Sequence, residues 1–180
     1  AAAAGNFRKA GFVYTGALRI LKTVLNYDYL WMNLRVKGGA YGCMSAFRRT
    51  GESFLVSYRD PHLKRTLEVY EGLPEYLRQF HADEREMTKY IIGTVSELDV
   101  PLNASAKGAV ALNAWFSGLT EEDFQREREQ IMDADEKEIR QLADRTEAVL
   151  KQHNICVVGS EKSVEDAADV FKSTESLIRA

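Results

Sequence analysis

Ala40-Tyr-Gly-Cys-Met-Ser-Ala-Phe-Arg48, then Arg49-Thr-Gly-Glu52, then Ser53-Phe-Leu-Val-Ser-Tyr58 reads as two strands joined by a four-residue turn. Side chains alternate across a strand, so Phe54, Val56 and Tyr58 share one face of its second half. No other stretch of the chain predicts a hairpin so clearly. Immediately upstream, Leu18, Leu21, Leu25, Tyr29 and Met32 recur at helical spacing, with Val24 and Trp31 beside them. That spacing predicts an amphipathic helix to about Val36, ended by Gly38-Gly39, because glycine accepts the left-handed backbone favoured at helix carboxy-termini.

Further out, Gly11-Phe-Val-Tyr14 has the composition of a short strand closed by Thr15-Gly16. The four alanines Ala1–Ala4 lack an initiator methionine and read as the start of a piece whose native chain continues upstream, or as unidentified positions. Downstream, Asp60-Pro61 predicts a helix start, with Leu63, Leu67, Tyr70, Leu77 and Phe80 on one side and a break at Gly72 or Pro74. Asp83 caps a helix striped by Met87, Ile91, Val95 and Leu98, and Pro101 ends it. Further helices are predicted over 102–116, from Thr120, and from about Ala134 with Ile139, Leu142, Val149 and Leu150. Residues 154–159 predict a short apolar strand, central in a sheet, and Ser160 caps a last helix through Phe171.

This order implies the α+β class: a mainly antiparallel sheet covered on one side by helices, as a single domain over residues 1–180. The 24 basic and 27 acidic side chains give a formal charge of −3, which argues against a grip on nucleic-acid phosphates. No apolar run approaches the ~20 residues of a membrane helix. Cys43 and Cys156 lie in stretches that read as buried strands, so reduced core thiols are expected.

Chemistry is sparse. His62, His81 and His153 are far apart and show no metal-ligand spacing, and the inverted zinc motif His-x-x-Glu-His is absent, so no metal site is expected. Glu121-Glu-Asp123 and Asp133-x-Asp-Glu136 read as helix caps, and the charged run Glu121 to Glu129 as a solvated face. One segment invites more: Leu34-Arg-Val-Lys-Gly-Gly-Ala-Tyr-Gly42. Arg35 and Tyr41, six apart across a tight turn, could aim a guanidinium and a phenol at one point and stabilise a carbonyl oxygen gaining charge. A helix carboxy-terminal cap beside a packed tyrosine explains the same residues.

Arg35-Val-Lys-Gly-Gly-Ala-Tyr41-Gly resembles the arginine–tyrosine motif of pitrilysin/insulinase-type zinc metallopeptidases, in the form of the presequence-protease branch. Gly11-Phe-Val-Tyr-Thr-Gly-Ala-Leu18, Asp28-Tyr-Leu-Trp31, Ser57-Tyr-Arg-Asp-Pro-His62, Ile91-Ile-Gly-Thr-Val-Ser-Glu-Leu-Asp99 and Ile155-Cys-Val-Val-Gly159 extend the likeness over nearly the whole chain. The resemblance implies a ferredoxin-like, non-zinc-binding carboxy-terminal domain of a larger zinc metalloendopeptidase that degrades unstructured peptides. It implies that Arg35 and Tyr41 contact peptide substrate beside the scissile bond, with Gly38 and Gly39 shaping the approach. Zinc belongs to amino-terminal domains of the same polypeptide, so this piece alone would be inactive. The resemblance places the parent in the cytoplasm of a bacterium, or in a mitochondrial or plastid matrix. A non-catalytic scaffold or peptide-binding homologue is the alternative. Surfaces normally covered by the parent are expected to leave an apolar patch beside the hairpin and room for self-association.

Overall fold

The computed structural model describes residues 1–176. Strands β1 (Ala2–Asn6), β2 (Gly42–Phe47), β3 (Glu52–Tyr58) and β4 (Asn154–Cys156) form one antiparallel sheet in the order β2-β3-β1-β4. Helix α1 (Ala17–Val24) leads from β1 to β2, and β3 is inserted between those two strands. That is the ferredoxin-like split β-α-β arrangement. Between β3 and β4 run α2 (Leu63–Glu71), α3 (Leu73–Arg78), α4 (Glu84–Leu98), α5 (Ala104–Phe116), α6 (Glu121–Met132) and α7 (Glu136–Leu150). Helix α8 (Glu161–Glu165) follows β4.

The predicted hairpin forms, with Gly42 opposite Tyr58 and Ala46 opposite Phe54, but Glu52 joins β3 and the turn is one residue shorter than expected. Ser53, Leu55 and Ser57 face the helices and are buried, whereas Phe54, Val56 and Tyr58 face outward. The helical layer draws its core from Leu18, Ile20, Leu21, Val24, Leu25, Ile139, Leu142 and Val149. Burying side chains of this size contributes about 1.5–3 kcal/mol each, enough to hold the sheet to the helices. Buried hydroxyls are matched across elements, as where Thr23 on α1 and Thr94 on α4 lie 2.8 Å apart.

Capping follows the sequence closely. Asp83 accepts from the Glu86 N–H while Glu86 accepts from the Asp83 N–H, and Thr120 with Asp123 does the same at α6. Asp60 holds the start of α2 from two residues further out than expected. Its carboxylate accepts from the His62 N–H and the Thr66 hydroxyl, and His62 takes the cap position. The chain breaks at Gly72 as predicted.

Several expectations fail, each for a physical reason. Residues 11–14 form no strand, and Gly11 is left-handed at φ +85°. Phe12 and Tyr14 turn inward and Val13 outward, yet the place beside β3 is already taken by β1. The initial alanines are that strand: β1 pairs with both β3 and β4, and ladders on both sides outweigh alanine's poor strand preference. Strand β4 lies at the sheet edge rather than its centre, since it pairs with β1 alone, and only over residues 154–156. Cys156 is therefore exposed and Cys43, on the opposite edge strand, is half-buried, so neither is a core thiol. The Ser160-capped helix stops at Glu165, and a single 3-10 turn, Ala168–Val170, precedes Phe171.

The charged run over 121–129 is not a uniformly solvated face. Glu127 is buried, and its carboxylate accepts from the Tyr14 hydroxyl, from Arg19 Nε at 2.8 Å and from Arg49 Nη2 at 2.6 Å. One side chain of α6 thereby fastens the 11–16 segment, α1 and the hairpin turn.

Candidate functional site

The segment joining α1 to β2 carries Arg35 and Tyr41. Beyond Val24 the helix widens into π-type turns over Leu25–Tyr29 and Trp31–Val36, where Lys37 N–H bonds to Met32 O at 3.0 Å, five residues back. The end is closed by Gly39 N–H to Arg35 O at 3.0 Å and Ala40 N–H to Leu34 O at 2.9 Å. Gly39 stands at φ +74°, in the left-handed region that a side chain resists. At Gly38 a Cβ would come within 2.5 Å of the Leu34 carbonyl oxygen, so only glycine permits this close turn. From α2, Arg65 Nη1 donates to Lys37 O at 2.9 Å and ties the helix end to the neighbouring element.

Arg35 leaves the last π-type turn on the exposed surface. Its guanidinium carbon lies 4.1 Å from the centre of the Trp31 ring, a cation–π contact that steers the side chain along the outer helix face. Beyond the two glycines, Tyr41 is 57% exposed. Its N–H bonds to Arg59 O at 3.2 Å, extending the β2–β3 ladder by one rung. Its ring meets Tyr58 edge-on at 5.1 Å, and the Arg59 guanidinium carbon lies 5.4 Å from its centre. Tyr58 in turn lies across Gly42, where a Cβ would sit 2.9 Å from the Tyr58 ring. The Tyr41 ring is thus positioned by backbone, aromatic and cationic contacts although the residue is more than half exposed.

Among the described residues, neither the Arg35 guanidinium nor the Tyr41 hydroxyl has a hydrogen-bonding partner, and none joins the two. Four of the other tyrosine hydroxyls are engaged: Tyr14 to Glu127, Tyr29 to Val69 O at 2.7 Å, Tyr90 to Asp28 and Tyr70 to Ala1 O at 3.4 Å, whereas Tyr27, Tyr58 and Tyr76 share with Tyr41 a hydroxyl that bonds to none of the described residues. Burial pushes Tyr29 up to about 12 and raises Tyr14, Tyr70 and Tyr90 further, which keeps these hydroxyls protonated and structural. Just below the site, burial tends to raise Asp60. Bonds from Ser57, Thr66 and the His62 N–H outweigh it, so its carboxyl lies below the usual range and stays charged.

Trp31, Tyr58 and Arg59 were not singled out by sequence reasoning. The available signal was Gly42 opposite Tyr58 in the hairpin register, since a strand glycine marks a close approach. Among the described residues no group of three or more His, Cys, Asp or Glu side chains is placed to hold a metal. His81 is paired instead, with Nδ1 at 2.7 Å from Glu136 Oε2. Among the described residues no helix is long and apolar enough to cross a membrane.

Residues 1–161 match the family described as PreP C-terminal domain. The chain is similar to Protein HypA of Clostridium perfringens, 47% identical over 175 residues, which is 97% of this chain and 18% of that protein. It is also similar to presequence protease 1, chloroplastic/mitochondrial, of Arabidopsis thaliana, at 33% identity over 91% of this chain and 15% of that protein. To the mitochondrial presequence protease of Aspergillus oryzae it is 31% identical, over 86% of this chain and 15% of that protein. The chain spans less than a fifth of the length of these relatives.

Proposed function

Since the chain belongs to the PreP C-terminal domain family, we propose that it is the substrate-facing carboxy-terminal domain of a larger zinc metalloendopeptidase that degrades unstructured peptides. Arg35 and Tyr41 bind the peptide backbone at the scissile bond. The Tyr41 hydroxyl donates a hydrogen bond to the carbonyl oxygen as it gains negative charge, and the Arg35 guanidinium adds a fixed positive charge beside it. Gly38 and Gly39 let the backbone turn tightly enough to present both groups on one side.

The observation that carries this reading is the free Tyr41 hydroxyl on a held ring. Tyr29 and Tyr90 spend their hydroxyls on neighbours; Tyr41 instead pairs an available hydroxyl with a ring braced by Tyr58 and Arg59 and with a place directly after the glycine turn that follows Arg35. A donor that is fixed in place and still unspent suits a developing oxyanion, because no reorganisation is needed when the charge appears.

The zinc is held by amino-terminal domains of the same polypeptide, and no arrangement of this chain's described residues fits it. The chain supplies binding and charge stabilisation, and alone it neither holds the catalytic metal nor cleaves peptide. Its parent works in the bacterial cytoplasm or in an organelle matrix; the plant relative is named chloroplastic/mitochondrial and the fungal one mitochondrial.

Tyr41→Phe in the full-length protein tests the proposal. Removing one such donor lowers turnover by about 10²–10³. An exposed phenol contributes within about 0.5 kcal/mol of stability, so the melting temperature stays nearly constant. Unchanged turnover of an unstructured peptide would reject the role of Tyr41 and favour a peptide-binding scaffold.

A further inference from the structure

Helix α5 breaks the rule that governs every other long helix here. Among its residues Ala104–Phe116 none is buried, and its sequence Ala-Ser-Ala-Lys-Gly-Ala-Val-Ala-Leu-Asn-Ala-Trp-Phe has one charged side chain, Lys107. A helix apolar on all sides belongs in an interior. Instead Trp115 and Phe116 stand 74% and 72% exposed, packed edge-on against each other at 4.9 Å. The apolar surface continues on both flanks, through Val100 and Leu102 before the helix and Phe124 after it. Between α5 and α6 this surface is concave. A groove of about 560 Å³ is lined by Val110, Ala114, Trp115, Leu119 and Phe124, with Lys107 and Glu121 as its charged members.

This helix is nonetheless well specified. Asn103 caps it, accepting from the Ala106 N–H at 2.9 Å, and Gly118 ends it at φ +65°. A helix of 13 residues is marginal in water without tertiary packing. Correct caps on a helix that its own domain leaves uncovered mean that a partner completes it. A contiguous exposed apolar surface of this kind marks an interaction site.

We propose that α5 and its groove are a docking element for the remainder of the same polypeptide, with Trp115 and Phe116 as the central anchors. The length of the relatives selects this occupant, since more than four-fifths of each lies outside the region this chain matches. A covalently joined partner acts at an effective concentration in the millimolar range for short linkers, which a second copy of this chain in dilute solution does not reach. The matching surface is apolar, with depressions for two aromatic rings, an acidic group for Lys107 and a basic group for Glu121. The inference does not depend on the role of Arg35 or Tyr41, and it holds for a peptidase or a scaffold.

Amide hydrogen exchange over residues 104–116 of the full-length protein tests it, with α7 as an internal reference. Slow exchange of α5, unchanged on dilution of the protein, is expected. Trp115→Ala should speed α5 exchange by about thirtyfold, the effect of truncating an interface anchor, while α7 stays protected. Fast exchange of α5 beside a protected α7 overturns the proposal. So does protection of α5 that grows with protein concentration, since a second copy would then be the occupant.

Discussion

Replacing Glu127 by glutamine removes the one charge that three elements share while keeping the size of the side chain. In the native protein this carboxylate is 5% exposed and takes bonds from Tyr14, Arg19 and Arg49. Breaking a buried ion pair from one side costs about 3–5 kcal/mol, because the other charge is left without compensation. Here the two arginine side chains keep 40% and 25% of their exposure and can rehydrate, which places the cost near the lower end, about 3 kcal/mol. For a domain of this size each kcal/mol moves the midpoint by about 2–4 °C, so Glu127→Gln should melt about 6–12 °C below wild type at neutral pH. Acidity gives a second readout. Burial tends to raise the Glu127 carboxyl, but the bonds from Arg19 and Tyr14 and the charge of Arg49 outweigh it, and the group titrates below the ordinary glutamate range. A carboxylate lowered by folding stabilises at pH values above its unfolded pKa of about 4.3, and that stabilisation fades as pH falls through the folded value. The gap between wild type and Glu127→Gln should therefore be full near pH 7 and close below about pH 4. Thermal unfolding followed by circular dichroism measures both. A gap under about 2 °C at pH 7, or one that widens in acid, would refute the assignment of Glu127 as an ionised interior tie.

Gly39→Ala should lower the midpoint by about 2–8 °C in the same assay, since a side chain at φ +74° costs roughly 1–2 kcal/mol; Gly39→Asn, which tolerates that region better, should lose less. Arg59, itself at φ +48°, both bonds and stacks on Tyr41, so Arg59→Gly should relax the backbone yet slow peptide turnover in the full-length protein. Normal kcat in a stable Arg59→Gly protein would show that Tyr41 needs no such support.

The hairpin, the long helix before it and the caps at Asp83 and Thr120 were legible because each depends on contacts within a few residues. Strand identity was less so. Phe12, Val13 and Tyr14 alternate as strand residues do, and their side chains obey the alternation, but pairing is decided by which segment reaches β3 first in space. Four alanines carry no pattern, and their place between β3 and β4 is set by those two partners. The interior role of Glu127 was hidden for a similar reason. Its neighbours Arg126, Arg128 and Glu129 are ordinary surface charges, and the groups that desolvate it come from residues 14, 19 and 49. At the candidate site the pair Arg35 and Tyr41 stood out in sequence through the two glycines. Tyr58 and Arg59, which hold the Tyr41 ring, became visible only with the register of the hairpin, whereas Trp31 stands four residues before Arg35 in the same helical segment.

Two departures from ordinary packing lie at opposite poles, and the contrast separates what this chain completes from what it leaves open. Glu127 is a charge taken inside, and every oxygen it presents meets a donor from this chain, so the departure is settled within the domain. Helix α5 is apolar surface left outside, with nothing among the described residues to cover Trp115 or Phe116. Tyr41 belongs with the second kind, since its ring is held by local contacts while its hydroxyl remains unspent. A polar donor on a braced ring and a capped helix without a core are both unfinished interactions, and the two proposals give them different partners: a carbonyl that arrives and leaves for the first, a surface that stays for the second. The apolar side chains of α5 can be removed from water permanently, provided that Lys107 and the Trp115 indole N–H meet polar partners, which suits a fixed interface. The Tyr41 hydroxyl gains only a modest net energy from a neutral acceptor and more from a charged one, which suits a group that acts as charge develops. Substitutions at Trp115 should therefore alter how the full-length protein holds together before they alter its chemistry, and substitutions at Tyr41 the reverse.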